Sequence, residues 1–148
     1  MKRVIVSGYF NPLHGGHLDM IEAARAMGDY LIVIVNNDQQ QILKKGKIIL
    51  DEMNRSRLIS ALKAVDEVVL AVDTNPPVIK TLRELAVKYP EDKLIFANGG
   101  DRDGYRAVPE TDVCKELDIK MVFGVGSDKV VKRDSSTRIN KAIGHELD

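Results

Sequence analysis

Near its start the chain contains Arg3-Val-Ile-Val-Ser-Gly-Tyr-Phe-Asn-Pro-Leu-His-Gly-Gly-His17. This stretch predicts a strand, a tight loop and the start of a helix. The β-branched run Arg3–Ser7 predicts the strand. In the loop, Gly8 can adopt backbone angles that are closed to other residues, and Gly15 and Gly16 allow a ligand to approach the main chain. A helix that begins near His17 presents free backbone N–H groups and a positive dipole end. The loop is therefore a candidate phosphate site.

Apolar runs and helical segments alternate along the rest of the chain, which predicts an α/β fold with a five-stranded parallel sheet flanked by helices. In the first helix, an apolar stripe is expected to pack on the sheet (Leu18, Ile21, Ala24 and Met27), and Gly28 is expected to end the helix. Pro77 suits a helix's first turn. The other strands are predicted at Tyr30–Val35, Glu67–Ala71, Leu94–Ala97 and Lys120–Phe123, and helices at about His17–Met27, Glu52–Lys63, Pro77–Lys88, Pro109–Glu116 and Ser136–Ile143.

Composition limits the class of protein. The 148 residues fit a single domain over 1–148, and 22 basic against 22 acidic residues give a formal net charge of zero. This balance lacks the basic field of a general nucleic-acid binder. No apolar run approaches the roughly 18 residues of a membrane span, the apolar stretch near Met1 is too short for a signal peptide, and the single Cys114 excludes an intramolecular disulfide. We expect a cytoplasmic, soluble protein that binds neither nucleic acid nor membrane.

Three predicted loops follow the carboxyl ends of strands: Gly8–Gly16, Asn36–Asp51 and Asn98–Val108. Ligands bind at that edge of an open α/β sheet. The first loop carries His14 and His17, whose imidazoles can donate hydrogen bonds to phosphate oxygens. The alternatives are a metal pair or ordinary polar loop residues, although zinc would need further ligands and only His145 and Cys114 remain as soft donors.

Two stretches resemble the signatures of a known superfamily. GYFNPLHGGH resembles the HxGH signature of the nucleotidyltransferase α/β-phosphodiesterase superfamily, most closely its small cytidylyltransferase branch, and Ser135-Ser-Thr-Arg-Ile139 resembles the second signature. The similarity to glycerol-3-phosphate cytidylyltransferases includes Gly28–Leu31, Asp38, Lys44–Lys47, Arg55 and Val65–Val68. By contrast, Gly99–Asp101 and Asp73–Pro76 resemble the adenylyltransferase that activates heptose 1-phosphate.

The resemblance implies a Rossmann-like three-layer sandwich that transfers NMP from an NTP to a phosphorylated small molecule, such as a polyol or sugar phosphate, and releases pyrophosphate. CTP is favoured over ATP, and the implied cofactor and assembly are Mg²⁺ and a homodimer. The acceptor phosphate would attack the α-phosphorus in line, with His14 and His17 stabilising charge on its oxygens.

The resemblance also assigns site residues. Lys44 and Arg55 join the histidines as catalytic residues, and Asp38 is the candidate Mg²⁺ ligand. Tyr9 and Asn11 stand where this branch often has Thr and Asp. The implied nucleotide-binding residues are Gly8, Tyr9, Phe10, Asn11, Gly16, Lys47, Gly100, Asp101, Ser135, Ser136 and Thr137.

Plainer interpretations remain open. The lysines Lys44, Lys45 and Lys47, read as a flexible loop around Gly46, can be a solvated surface run, and Ser136 and Thr137 can be a simple helix cap. A nucleotide-binding regulatory protein without turnover and an interaction module are the alternatives to an enzyme. A dinucleotide oxidoreductase and a Walker-type NTPase are excluded because neither GxGxxG nor GxxxxGK[ST] occurs.

Overall fold

A computed structural model of the chain describes residues 1–99 and 108–126. Its five strands form one parallel sheet in the order β3-β2-β1-β4-β5, which confirms the predicted fold class. The strands are β1 Lys2–Gly8, β2 Tyr30–Val35, β3 Glu67–Leu70, β4 Lys93–Gly99 and β5 Lys120–Val125, and the helices are α1 Gly15–Arg25, α2 Asp38–Lys45, α3 Glu52–Ser60, α4 Ile79–Lys88 and α5 Thr111–Glu116.

Both faces of the sheet are covered, so the apolar residues of the central strands are buried without polar alternation. In β1, Ile5 contributes to one apolar cluster while Val4 and Val6 contribute to the other, because successive side chains of a strand point to opposite faces. The Ile5 cluster includes Leu82 and Leu85 of α4 and Val113 and Cys114 of α5; the other includes Ile21 and Ala24 of α1 and Ile59 of α3.

The first helix differs from its prediction at both ends. It begins at Gly15, two residues early, and ends at Arg25 with a right-handed cap at Ala26. Leu18, expected on the buried stripe, is 37% exposed. Gly28 is not the stop signal: a Cβ there would lie 2.8 Å from Val4 Cγ2 and 2.9 Å from the Lys2 carbonyl oxygen, so the glycine allows the chain to pass close to β1.

The predicted loop 36–51 contains a helix, α2, which runs through Lys44 and Lys45 and ends at Gly46 in the left-handed conformation (φ 77°). The expectation of a flexible lysine loop is therefore wrong. In addition, α4 begins only at Ile79, so Pro77 precedes the helix and does not occupy its first turn.

Polar side chains tie the amino ends of the strands together, on the edge opposite the loops. The Arg3 guanidinium lies between the rings of Tyr30 and Tyr89, 4.3 and 3.7 Å from their centroids, and its Nε donates to Asp92 at 2.6 Å. Glu67 accepts from both tyrosine hydroxyls, at 2.8 and 2.5 Å. Burial alone would raise the pKa of Glu67, but hydrogen bonds from Lys88, Tyr89 and Tyr30 outweigh it and lower that pKa.

Two features bear on the expectations from composition. Burial raises the pKa of the Cys114 thiol to about 12, so this cysteine is a packing residue rather than a nucleophile at neutral pH.

Within residues 1–99 and 108–126, no helix has the length and apolar character needed to cross a bilayer.

Candidate active site

The loop between β1 and α1 folds back on itself at the carboxyl edge of the sheet. Phe10 is buried with a positive φ of 52°, which is uncommon for a bulky residue. Its ring meets the His17 ring edge-on, with centroids 5.0 Å apart. It also covers Gly8, where a Cβ would lie only 2.7 Å from Phe10 Cζ. Position 8 thus requires glycine, because the Phe10 ring occupies the space that a side chain at position 8 would need.

The two histidines form the N-terminal cap of α1. His14 is the N-cap residue and its Nδ1 accepts from the Gly16 N–H at 3.1 Å, while His17 Nδ1 accepts from the His14 N–H at 3.2 Å. Backbone N–H groups only donate, so both Nδ1 atoms are acceptors and the proton of each neutral ring is on Nε2. The rings stack with centroids 3.7 Å apart and an interplanar angle of 23°. Two Nε2–H donors on stacked rings at a helix N-terminus suit the oxygens of a phosphate.

The next helix has the same cap built from ordinary residues. Asn37 Oδ1 accepts from the Gln40 N–H and Gln40 Oε1 accepts from the Asn37 N–H, each at 2.8 Å. Asparagine at the N-cap and glutamine three residues later are usual for a capping box. Capping alone therefore does not require imidazoles at 14 and 17.

Arg55 of α3 joins three loops at this edge. Its side chain is fully buried and donates from Nε to the Leu50 carbonyl at 2.8 Å, and from Nη1 to the carbonyls of Tyr9 at 2.8 Å and Asn36 at 2.6 Å. Nη2 donates to Asp38 Oδ1 at 2.7 Å. These bonds occupy four of the five guanidinium N–H groups. A contact between Arg55 and substrate phosphate stays a prediction.

The segment after α2 is anchored to the first loop. Asn11, 4% exposed, accepts at Oδ1 from the N–H groups of Ile49 at 3.0 Å and Leu50 at 2.8 Å. The Lys47 carbonyl accepts from Gln41 Nε2 at 3.0 Å. Of the candidate lysines, Lys44 places its Nζ 5.0 Å from the centroid of the Tyr9 ring, within cation–π range.

The acidic groups at this edge do not form a metal cage. Asp38, the candidate ligand, is paired with Arg55. Among residues 1–99 and 108–126, no group of three or more His, Cys, Asp or Glu side chains could hold a metal ion. A magnesium ion at this edge would take most of its ligands from substrate phosphates and water, as Mg²⁺ commonly does.

Several predicted site residues lie outside the described part of the chain: Gly100, Asp101, Ser135, Ser136 and Thr137. Their roles stay predictions. The prediction also missed a buried amide network beside Arg55. Asn36 donates to Gln40 Oε1, while Gln40 Nε2 donates to the Asn75 carbonyl at 2.7 Å, which fixes the loop after β3. The spacing Asn37-x-x-Gln40 was the available signal.

A family model described as cytidylyltransferase-like matches residues 5–103, which include the histidine loop, α2 and Arg55. The ethanolamine-phosphate cytidylyltransferase of Mus musculus is 34% identical over 136 residues, covering 88% of this chain and 32% of that protein. The FAD synthase of Ferroglobus placidus is 43% identical over 70 residues, covering 47% of this chain and 45% of that protein. The bifunctional protein HldE of Erwinia tasmaniensis is 38% identical over 112 residues, covering 68% of this chain and 23% of that protein.

The chain thus spans between about a quarter and a half of these curated relatives. Among solved structures, the lipopolysaccharide core biosynthesis protein from Thermoplasma volcanium is similar, with a TM-score of 0.63 and 29% identity over 83% of this chain and 95% of that one.

Proposed function

Because the chain belongs to the cytidylyltransferase-like family, we propose that it transfers a nucleoside monophosphate from an NTP to a phosphorylated small molecule and releases pyrophosphate. The observation that carries this proposal is the stacked pair His14 and His17 at the N-terminus of α1, where each ring accepts a backbone N–H at Nδ1 and has its donor at Nε2. Phosphate is the acceptor that best fits two neutral donors at a helix N-terminus.

The reaction needs positioning more than covalent chemistry. A phosphate oxygen of the acceptor attacks the α-phosphorus, and the bond from that phosphorus to the oxygen bridging to the β-phosphate breaks. Pyrophosphate leaves with the electron pair of that bond, and no enzyme group is modified. Negative charge shifts among the phosphate oxygens, where His14 and His17 donate hydrogen bonds.

Cationic groups supply the rest of the charge stabilisation. Lys44, in the last turn of α2, places its ammonium 5.0 Å from the Tyr9 ring of the histidine loop, and it is the lysine we assign to the triphosphate or acceptor phosphate. Arg55 holds the loops around that position. Ser136 and Thr137 are proposed to bind the β- and γ-phosphates. Asp38 is the carboxylate proposed to help hold Mg²⁺, which would neutralise phosphate charge.

We propose CTP as the nucleotide, with ATP as the alternative. The mouse and Dictyostelium discoideum relatives are named as cytidylyltransferases, which favours CTP. The FAD synthases of Ferroglobus placidus and Archaeoglobus profundus favour ATP, since FAD contains an adenylate. A homodimer is proposed as the assembly, and sedimentation tests it.

The test is pyrophosphate release from each NTP with a panel of polyol phosphates, sugar phosphates and FMN. We expect release with one nucleotide only, dependent on one class of acceptor and equal to the NMP transferred. Release without any acceptor would contradict the proposal. Nucleotide binding without release under all conditions would support the regulatory alternative.

A further inference from the structure

The segment that follows α2 is built into the first loop by groups of that loop itself. Residues 46–50 connect α2 to Asp51, the N-cap of α3, and include Lys47. At their far end, the backbone N–H groups of Ile49 and Leu50 both donate to the buried Asn11 oxygen. Neither N–H belongs to a helix or strand, so the buried Asn11 oxygen satisfies two half-buried donors that no secondary structure would pair.

A second contact with the first loop lies just before this segment, at the end of α2. Lys44, in the last turn of α2, lies with its ammonium 5.0 Å from the centre of the Tyr9 ring. Tyr9 is fixed in turn, because its carbonyl accepts from Arg55 at 2.8 Å. Tyr9 and Asn11 therefore contact residues 44–50 at two points. The Tyr9 ring contacts Lys44, and the Asn11 side-chain oxygen accepts from Ile49 and Leu50.

We propose that Asn11 and Tyr9 are positioning residues, which dock the segment 44–50 on the histidine loop and fix its lysines relative to His14 and His17. This inference rests on the proposed function. Its consequence is a cationic platform that is in place before the triphosphate arrives, rather than a lid that closes over it. The docking is also local, because Phe10, between the two positioning residues, packs against the His17 ring.

The chemistry of position 11 makes the proposal testable. An oxygen acceptor is all that the two N–H groups require, so aspartate serves as well as asparagine and leucine of similar size does not. At position 9 the aromatic face attracts the ammonium, so phenylalanine keeps the contact and leucine removes it. Thr81→Val is the matched control: the buried Thr81 hydroxyl also makes two hydrogen bonds, to Val72 N–H and Asp73, at the start of α4.

The experiment has a structural and a kinetic arm, both on the whole chain. In Asn11→Leu we expect amide exchange at Ile49 and Leu50 to rise about tenfold or more, the factor that corresponds to one net hydrogen bond. Trypsin should then cut after Lys45 or Lys47 sooner than in the wild type. The kcat/KM for the NTP should fall by about 10- to 100-fold, since a 1 Å displacement of a catalytic group has effects of that size. Asn11→Asp should stay within about threefold of the wild type in both arms.

At position 9, Tyr9→Leu should raise the KM for the NTP by about two- to fivefold with less change in kcat, and Tyr9→Phe should restore it. Thr81→Val should lower the melting temperature. At temperatures where this variant is folded, the amide exchange of Ile49 and Leu50, the trypsin cleavage and the kinetic constants should stay as in the wild type. This control separates positioning from general loss of stability.

The outcomes separate this inference from the proposed function. Unchanged exchange at Ile49 and Leu50 in Asn11→Leu would overturn the docking, and raised exchange with normal kinetics would overturn the positioning role. Equal kinetic losses in Asn11→Leu and Thr81→Val would do the same. A wild type that neither transfers NMP nor binds CTP or ATP would instead refute the proposed function and remove the positioning role with it, while the exchange data would still report on the docking.

Discussion

The capping boxes of α1 and α2 provide a test of whether His14 and His17 do more than cap the start of a helix. The double substitution His14→Asn and His17→Gln rebuilds the α1 cap in the form that α2 already uses at Asn37 and Gln40. The asparagine oxygen replaces one Nδ1 as acceptor and the glutamine oxygen replaces the other. What the substitution removes is the two Nε2–H donors.

The expected magnitudes follow from that geometry. An N-cap hydrogen bond contributes about 1 kcal/mol, which is roughly 2–4 °C of melting temperature for a domain of this size. The Asn and Gln variants keep that bond, so their melting temperatures should stay near that of the wild type. His14→Ala loses the bond and should melt earlier by that amount. Loss of one donor to developing charge costs about 10²–10³ in turnover, and the double variant should lose at least as much.

The assay combines thermal unfolding with pyrophosphate release at saturating NTP and acceptor. Each single variant, His14→Asn and His17→Gln, should fold normally and show turnover reduced by about 10²–10³. Turnover within tenfold of the wild type in the double variant would refute the reasoning, because the histidines would then be helix caps and nothing else. Melting temperatures that fall as far as in His14→Ala would show that the two caps are not equivalent.

Three further predictions rest on other contacts. Gly15→Ala should raise stability by about 0.4–1 kcal/mol and keep activity, since nothing outside its own helix backbone and chain neighbours lies within 4 Å of the added Cβ. Gly8→Ala should destabilise through its collision with Phe10, and chemical denaturation compares the two variants. The stability that Glu67 contributes is fully present above its usual pKa of 4.5 and is lost as pH falls through its lowered folded pKa, so the difference in melting temperature between wild type and Glu67→Gln should shrink on acidification through that range. Arg55→Lys should cost about 1–3 kcal/mol in the free energy of unfolding, because one ammonium cannot replace four bonds spread over three loops.

The strands could be predicted because buried parallel strands are continuous apolar runs, and β1 and β2 are clear examples. The helix α2 could not be found by apolar periodicity, since its buried side chains are Gln40 and Gln41 while Ile42 and Leu43 are exposed. The capping box Asn37-x-x-Gln40 is its local signal. The bonds of Gln40 to the loop after β3 and of Gln41 to the Lys47 carbonyl have no signature in the local sequence.

The proximity of His14 and His17 could be predicted from their spacing, because two residues three positions apart at the start of a helix lie on the same side of it. The partners of Arg55 could not, since they come from loops up to 46 positions away and are mostly backbone carbonyls. The same holds for Asn11, whose side chain serves backbone groups that any residue carries. Sequence patterns identify side chains that differ in chemistry, and they do not identify which main-chain atoms those side chains will meet.

The strand order has a consequence for synthesis of the protein. β1 is central, with β2 and β3 on one side and β4 and β5 on the other. The residues from His14 to Arg55 and the half-sheet that supports them are complete by Leu70, whereas the partner on the second edge of β1 begins only at Lys93. A nascent chain adds about 5–20 residues per second, so this half-sheet waits a second or more with one edge of its central strand unpaired. During that interval the edge is a template for other chains, so a ribosome that stalls between β3 and β4 would leave β1 without the strand that covers this edge.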